Sequence, residues 1–479
     1  MSTIQYDKIL KKYPPLSDER SLDQILADER AKSKMKFIVL DDDPTGVQTV
    51  HDVNVYTDWS FESLCKGLNE KSNVFYVLTN SRGMTAEETE KIHKEIVSSA
   101  IAASKETGYN FTFISRSDST LRGHYPLETE ILKKGLEEQL GIHVDGEVLC
   151  PFFKEGGRYT IDDIHYVKQG PMLIPAADTE FAKDKTFGYL HSSIPEYVEE
   201  KTKGKYKAKD VTCISLESLR KRQFDGIKEQ LLQVTDFNKI CVNAFDYCDV
   251  KVFCIALYRA MQAGRHYMFR TAAGFVAAIA GISQMPLLER KQLVNPDLRN
   301  GGLIVVGSHT KKSTDQLNLL LTAKNVVPIK FESSLVLEGK IAFMKEIERC
   351  VKLEEKTIRS GKTAVCFTER TLLSLPDDSK ESALIRSVKI SDGVQSLVQL
   401  LTVTPSFIIA KGGITSSDIG IKALHVKRAK VLGQICPGIP VWQLGQESKF
   451  PSIPYVIFPG NVGEAATLKE CYEKLIYTS

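Results

Sequence analysis

Three polar clusters hold most of the side chains in this chain that could do chemistry. The apolar run Phe37–Leu40 leads straight into Asp41, Asp42 and Asp43, then Pro44, Thr45 and Gly46. Residues 79–83 read TNSRG and supply Arg82. Residues 115–124 read SRSDSTLRGH and supply Arg116, Ser117, Asp118, Ser119, Thr120 and Arg122. Mixed carboxylates, guanidiniums and hydroxyls suit a small, polyhydroxylated, anionic ligand. An arginine fork can grip a carboxylate through two parallel bonds. An aspartate can orient sugar hydroxyls, accept a proton or hold Mg²⁺. Any one such cluster is more often a solvated turn, so the signal lies in having three.

A second set consists of glycine-rich turns. VVGSHTKKSTDQ (305–316) contains Ser308, AKGGITSSDIG (410–420) contains Gly412, Gly413, Ile414 and Thr415, and FPGNVG (458–463) contains Gly460. Backbone N–H groups beside helix N-termini suit phosphate oxygens. None of the three matches GxxxxGK[ST] or GxGxxG, and each alone reads as a tight turn. Together they suggest a nucleotide site of a less common kind.

Elements must carry these clusters into register. The runs FIVL (37–40), VFYVL (74–78) and FTFIS (111–115) read as fully buried strands, each ending at a polar cluster. The segment between the second and third has apolar residues at helical spacing and a capping box from Thr85 to Glu88. Strand–helix alternation predicts α/β architecture: two α/β domains with mainly parallel sheets covered on both faces. Ligands in such sheets bind at the carboxyl ends of the strands. The pattern divides into an N-terminal arm at 1–36 with one short helix, a first domain at 37–282, a linker at 283–302 and a second domain at 303–479. Residues 146–193 read as a β-rich rim on the first sheet, and 266–281 as a helix of small residues. Within the rim, Asp162, Asp163 and His165 read as polar groups of a hairpin in preference to a metal site.

Composition excludes several classes. The chain has 479 residues, 42% of them hydrophobic, a net charge of +3 and a pI near 8.2. That balance offers no nucleic acid a global partner. No apolar run spans a membrane, and residues 1–36 lack a signal peptide's apolar centre. The 10 cysteines are irregularly spaced without zinc-ligand patterns. Reduced, mostly buried thiols and a cytoplasmic location are expected.

The ordered set DDDPTG, NSRG, SRSDSTLRGH, GGRYTIDDIHYV, TEFAKD, VVGSHTKKSTDQL, KGGITSSD, PGIPVW and FPGNVG resembles the four-carbon acid sugar kinase family. The resemblance covers about residues 37–470. It implies an N-terminal domain that binds the acid sugar and a C-terminal one that binds ATP. Asp42, with Asp43 beside it, Arg82 and the segment Arg116, Ser117, Asp118, Ser119 would bind substrate. Ser308, Gly412, Gly413, Ile414, Thr415 and Gly460 would bind ATP. The implied reaction is phosphorylation of the terminal hydroxyl of threonate, erythronate or a 3-oxo-tetronate, with Mg²⁺ bridging the ATP phosphates and its protein ligands unassigned. Asp42 or Asp43 would fix the substrate hydroxyls, with Asp118 the alternative base and Arg82 and Arg116 the carboxylate clamps. The chain departs from the family pattern at Pro44, Arg116 and Ile414, where Phe, Lys and an acidic residue are common. An NAD-dependent sugar-acid dehydrogenase and a non-catalytic sugar-acid sensor are the competing classes. The missing GxGxxG counts against the first, and the intact acceptor cluster against the second. Oligomeric state leaves no signal, and a homodimer is the assembly to test.

Overall fold

Apolar runs without polar alternation belong in a sheet covered on both faces. The computed structural model bears this out for the first unit, residues 1–284. Described throughout are residues 3–16, 18–371, 373, 375, 379–460 and 462–476. Strands of the first unit are β1 (Ile4–Gln5), β2 (Lys36–Asp41), β3 (Asn54–Tyr56), β4 (Val74–Leu78), β5 (Phe111–Arg116), β6 (Gly146–Cys150), β7 (Arg158–Ile161), β8 (Ile164–Gln169), β9 (Met172–Pro175), β10 (Thr212–Ile214), β11 (Asn238–Val242) and β12 (Tyr267–Thr271). Eight of them run parallel in the order β10-β11-β6-β12-β5-β2-β4-β3. Every residue of β2, β4 and β5 is buried. Of the stretch 146–193 expected as a rim, β6 is instead an inner strand of the parallel sheet, and β7, β8 and β9 join β1 in a separate four-stranded antiparallel sheet, β1-β9-β8-β7.

Helices cover the parallel sheet. Ala86–Thr107 starts at the Thr85–Glu88 capping box and stops at Gly108, whose φ of 72° ends the helix in the left-handed region. It buries Ile96, Val97, Ala100 and Ile101 against Phe75, Val77 and Phe113.

Two expectations need correction here. The N-terminal arm carries two helices, Tyr6–Lys12 and Glu19–Lys32. The second buries Leu22 and Leu26, and its Glu29 accepts from Arg259 at 2.9 Å, so it belongs to the unit. The stretch 266–281 is only half helix: its first part is β12, and the helix is Ala273–Ala280. Aromatic and β-branched residues in Tyr267–Thr271 favour the strand, and small residues take over only afterwards.

The second unit spans residues 285–479. Its strands are β13 (Leu303–Val306), β14 (Val326–Phe331), β15 (Thr363–Thr368), β16 (Ile408–Lys411), β17 (Arg428–Cys436), β18 (Ile439–Leu444) and β19 (Pro454–Phe458). They follow the order β17-β18-β19-β16-β13-β15-β14, parallel from β19 to β14, with β17 and β18 antiparallel at the other end. Residues 285–302, expected as a linker, are part of this unit. Leu288, Leu293 and Val294 pack with Ile304, Ile409 and Val456 in its core, because three large apolar side chains gain more buried than in a solvated tether. Among the described residues, no helix is long and apolar enough to cross a membrane.

Both sheets change direction of growth at a central strand. From β2 the chain fills β3 and β4 on one side, then β5 on the other. From β13 it fills β14 and β15 on one side, then β16 on the other. Each reversal opens a crevice at the strands' carboxyl ends, where ligands of such folds bind.

Candidate functional site

In the first unit, register explains why three distant clusters meet. Asp41, the last residue of β2, pairs with Leu78 on one side and Arg116 on the other. Arg116 in turn pairs with Thr271. The turns that follow β2, β4 and β5 therefore leave the sheet at one level.

Their side chains form two layers. Asp41, Asp42 and Arg116 lie underneath, each 5% exposed or less. Asp43, Arg82, Asp118 and Arg122 lie above, with side chains 11–25% exposed. Arg82, presented on the short turn Ser81–Gly83, ties the layers together. Its Nε donates to Asp42 Oδ2 at 3.0 Å and its Nη2 to Asp42 Oδ1 at 2.5 Å. Nη1 donates to Asp43 Oδ2 at 3.2 Å and stands 4.0 Å from Asp118 Oδ1. Arg116 Nη1 donates to Asp41 Oδ1 at 3.1 Å, while its Nε is buried without a hydrogen-bond partner. Arg122 Nε donates to Asp118 Oδ2 at 2.7 Å, and its Nη1 lies 3.6 Å from Asp184.

These surroundings split the four carboxylates. Burial raises the proton affinity of Asp41, against the pull of Arg116 and with the push of Asp42 and Asp43, to a pKa of about 7. Burial likewise lifts Asp42 despite Arg82. At Asp43 burial is outweighed by Arg82 and by two bonds from Thr45, so its pKa falls. At Asp118 burial is outweighed by Arg82 and Arg122, which hold it well below the usual carboxylate range. The upper carboxylates are thus fixed acceptors, and the lower ones can take protons.

Ser117 and Ser119 turn away from the upper layer. Ser117 is 1% exposed and its hydroxyl accepts from Arg270 Nη1. Ser119 offers its carbonyl to His165 Nε2 at 2.8 Å. Burial pulls the His165 pKa down to about 4, so the ring is neutral; with its proton on Nε2, Nδ1 accepts from Thr160 at 3.0 Å. Asp162 pairs with Lys12 at 2.5 Å, and Asp163 accepts from Asn243 at 2.7 Å. The hairpin's polar groups are used in holding loops together.

Sequence reasoning missed a support beneath the site. Arg270, on β12, donates to Glu128 Oε2 at 2.7 Å and to the Arg122 carbonyl at 3.0 Å. Glu128 also accepts from Ser81 at 2.7 Å and Ser115 at 3.1 Å, linking the turn after β4 to the end of β5.

The second unit repeats the logic with different chemistry. Val306 pairs with Phe367 and Lys411, and Lys411 with Phe458. The turns after β13, β15, β16 and β19 then surround a cleft of about 530 Å³. Ser308, Gly412, Gly413, Ile414, Thr415 and Gly460 all line it; Asn461 lies outside the described residues. Thr310 joins these turns in the lining, and the helix Lys380–Gln399 adds Ile390 and Val394 together with Arg386, Ser387 and Ser391. Gly412 has a φ of 121°, which excludes other residues without strain. A Cβ at Gly413 or Gly460 would meet nothing within 4 Å, so both leave open space where a phosphate could approach the backbone. Ile414 is 75% exposed. Arg370, also missed, donates to the Ser308 carbonyl at 2.6 Å and Thr368 Oγ1 at 2.7 Å, bracing two of the turns.

Comparison with known proteins agrees with this division. Residues 37–279 match the family described as a sugar-binding N-terminal domain, and residues 303–468 the one described as a nucleotide-binding C-terminal domain. No curated protein matches the chain. Among solved structures, the fold is similar to a Salmonella typhimurium LT2 protein provisionally called a tRNA synthase, with a TM-score of 0.66, 12% identity, and coverage of 91% of this chain and 98% of that one. It is also similar to a Haemophilus influenzae protein of family DUF1537, with a TM-score of 0.62, 15% identity, and coverage of 92% and 100%. Identities this low speak for the fold alone.

Proposed function

The chain belongs to the four-carbon acid sugar kinase family, and on that premise we propose that it transfers the γ-phosphoryl group of ATP to the terminal hydroxyl of a four-carbon sugar acid. Threonate, erythronate and 3-oxo-tetronate are the substrate types. The observation that carries this reading is the co-occurrence of two switch-point crevices, one lined by aspartates and arginines, the other by glycine turns.

Phosphoryl transfer asks a protein mainly for positioning and charge stabilisation. Arg82 and Arg122, the partly exposed guanidiniums, hold the sugar-acid carboxylate. Asp43 and Asp118, kept ionised, accept hydrogen bonds from substrate hydroxyls. The terminal hydroxyl oxygen bonds to the γ-phosphorus, the bond from that phosphorus to the β-γ bridging oxygen breaks, and ADP leaves. The hydroxyl proton passes to Asp42, whose proton affinity is raised, with Asp118 as the alternative acceptor. Arg116, expected beside Arg82 as a carboxylate clamp, is buried against Asp41 and Asp42 and fixes them from below. Arg270 and Glu128 hold the turns after β4 and β5, and so act as positioning residues.

In the second unit the backbone at Gly412, Gly413 and Gly460 receives phosphates, and Ser308 and Thr415 offer hydroxyls. Mg²⁺ fits this donor set, since Glu369 and the hydroxyls of Ser308 and Thr310 line the same cleft as the phosphate positions. When bound, it offsets the phosphate charge.

The test is ADP release by the full chain with Mg-ATP and a panel of four-carbon acids, with glycerate and five- and six-carbon acids as controls. Release dependent on one four-carbon acid is expected and identifies the substrate. Nucleotide binding without turnover on any acid would favour a sensor. Absence of nucleotide binding would leave the glycine turns as turns.

A further inference from the structure

Lys411 ends β16 immediately before the Gly412–Gly413 turn, and no part of the phosphoryl-transfer argument uses it. It is 0% exposed. Its Nζ donates to the carbonyl of Pro459 at 2.6 Å and to that of Gly460 at 3.0 Å, and lies 4.2 Å from the centre of the Phe458 ring. One side chain thereby joins two of the turns that line the cleft. It reaches the second by backbone carbonyls, so the shape of the Pro459–Gly460 turn depends on it.

Its electrostatic setting is unusual. Among the described residues, no carboxylate lies within ion-pairing distance of this ammonium. The titratable groups that face it are Lys312, on the helix Lys311–Leu320, which opposes its charge, and the Cys471 thiol, on the helix Thr467–Ile476, which favours it weakly. Burial is the largest influence and brings its pKa down to about 7. A buried lysine without a counter-ion sheds its proton readily. A polyphosphate in the adjoining cleft would supply the missing negative charge.

We propose that Lys411 is the positioning residue of the nucleotide cleft, holding the Pro459–Gly460 turn in place, and that nucleotide binding is coupled to proton uptake at its amine. The inference rests on the reading of that cleft as a nucleotide site. Ordinary ATP-binding lysines reach a phosphate directly as a permanent charge. Here the lysine stands behind the turn, and its charge follows occupancy. Binding should then weaken as pH rises above about 7, because an increasing part of the binding free energy goes into recharging the amine.

The experiment is calorimetric titration of the full chain with ADP at pH 6.0 and 8.5, in buffers of different ionisation enthalpy, which counts protons exchanged. At pH 8.5 the nucleotide is fully ionised, so uptake reports on the protein. Wild type should take up roughly one proton per nucleotide at pH 8.5 and roughly none beyond the nucleotide's own at pH 6.0. Its affinity should fall about tenfold or more between the two. Lys411→Met should bind several-fold more weakly at pH 6.0 and show no uptake at pH 8.5. Lys411→Arg, permanently charged, should bind with no uptake and a flat pH profile, and it carries the test if the methionine variant does not fold. ADP binding by wild type without proton uptake overturns the proposal. So does uptake that persists in Lys411→Arg, because another group would then be its source. Failure of wild type to bind nucleotide at either pH overturns the nucleotide reading and the proposal together, and differs visibly from binding without uptake.

Discussion

Arg82 grips Asp42 with both arms of its guanidinium, at 3.0 Å and 2.5 Å, although the two residues come from turns after different strands. The fork makes Asp42 the hinge between the buried and the partly exposed layers of the acceptor site. Asp42→Asn keeps the shape but removes the charge and the proton acceptor. Turnover should fall roughly 100-fold or more, the range for loss of an acid–base group. ATP affinity should be unchanged, since the nucleotide cleft draws on other turns. Steady-state kinetics with a parallel ATP titration checks both. Retained activity would remove Asp42 from the chemistry.

Asp41 gives a prediction about stability. Its folded-state pKa is raised from 3.8 to about 7. Between those values the folded chain holds a proton that the unfolded chain has lost, so this group's contribution to stability declines as pH rises from about 4 to 7. Above about 7 both states are ionised and the decline stops. Asp41→Asn mimics the protonated form at every pH. Its disadvantage in Tm relative to wild type should therefore shrink between pH 4.5 and pH 7.5. Parallel Tm profiles for the two proteins would contradict the raised pKa.

The sequence revealed most of this site because its strands are locally legible. Phe37–Leu40, Val74–Leu78 and Phe111–Ser115 are apolar without alternation, and each runs into charge. That pattern marks both a buried parallel strand and its functional end. Arg270 was hidden because it lies in a short run beside a helix of small residues, which drew the reading towards one continuous helix. Its role depends on the pairing of Thr271 with Arg116 and a partner 155 residues away at Ser115. Such register is a product of packing and leaves no trace in neighbouring residues. Lys411 stands in the AKGGITSSDIG motif, yet only the fold shows that it is buried and faces two carbonyls. Leu288, Leu293 and Val294 looked like a tether because prolines and charges surround them, whereas burial in the second unit decides their state.

Gly413 separates the two ligand sites by experiment. A Cβ there meets nothing within 4 Å, so Gly413→Val should leave Tm within a few degrees while filling the cleft. ATP should bind about tenfold or more weakly, and sugar-acid binding should be spared. Equilibrium titrations of each ligand report this directly. Loss of sugar-acid binding with ATP binding intact would exchange the roles of the two units.

Gly123 tests the acceptor site from the opposite direction, by adding atoms. Its φ is 116°, a conformation costly to any other residue, and the turn holding it follows Arg122. A Cβ there would lie 2.8 Å from Arg270 Nη2 and 3.4 Å from Asp42 Oδ2. Gly123→Ala must therefore push Arg270 from the Arg122 carbonyl, while the contact with Asp42 is an ordinary one. Backbone strain of about 1–3 kcal/mol should lower the first thermal transition of the chain. Because Arg270 also holds Glu128 and Ser117, the displacement reaches the turns after β4 and β5, so KM for the sugar acid should rise further than kcat falls. The KM for ATP should stay as it is. If instead the variant lost stability with both kinetic constants for the acid unchanged, Arg270 and its network would be structural ballast and no support for the acceptor site.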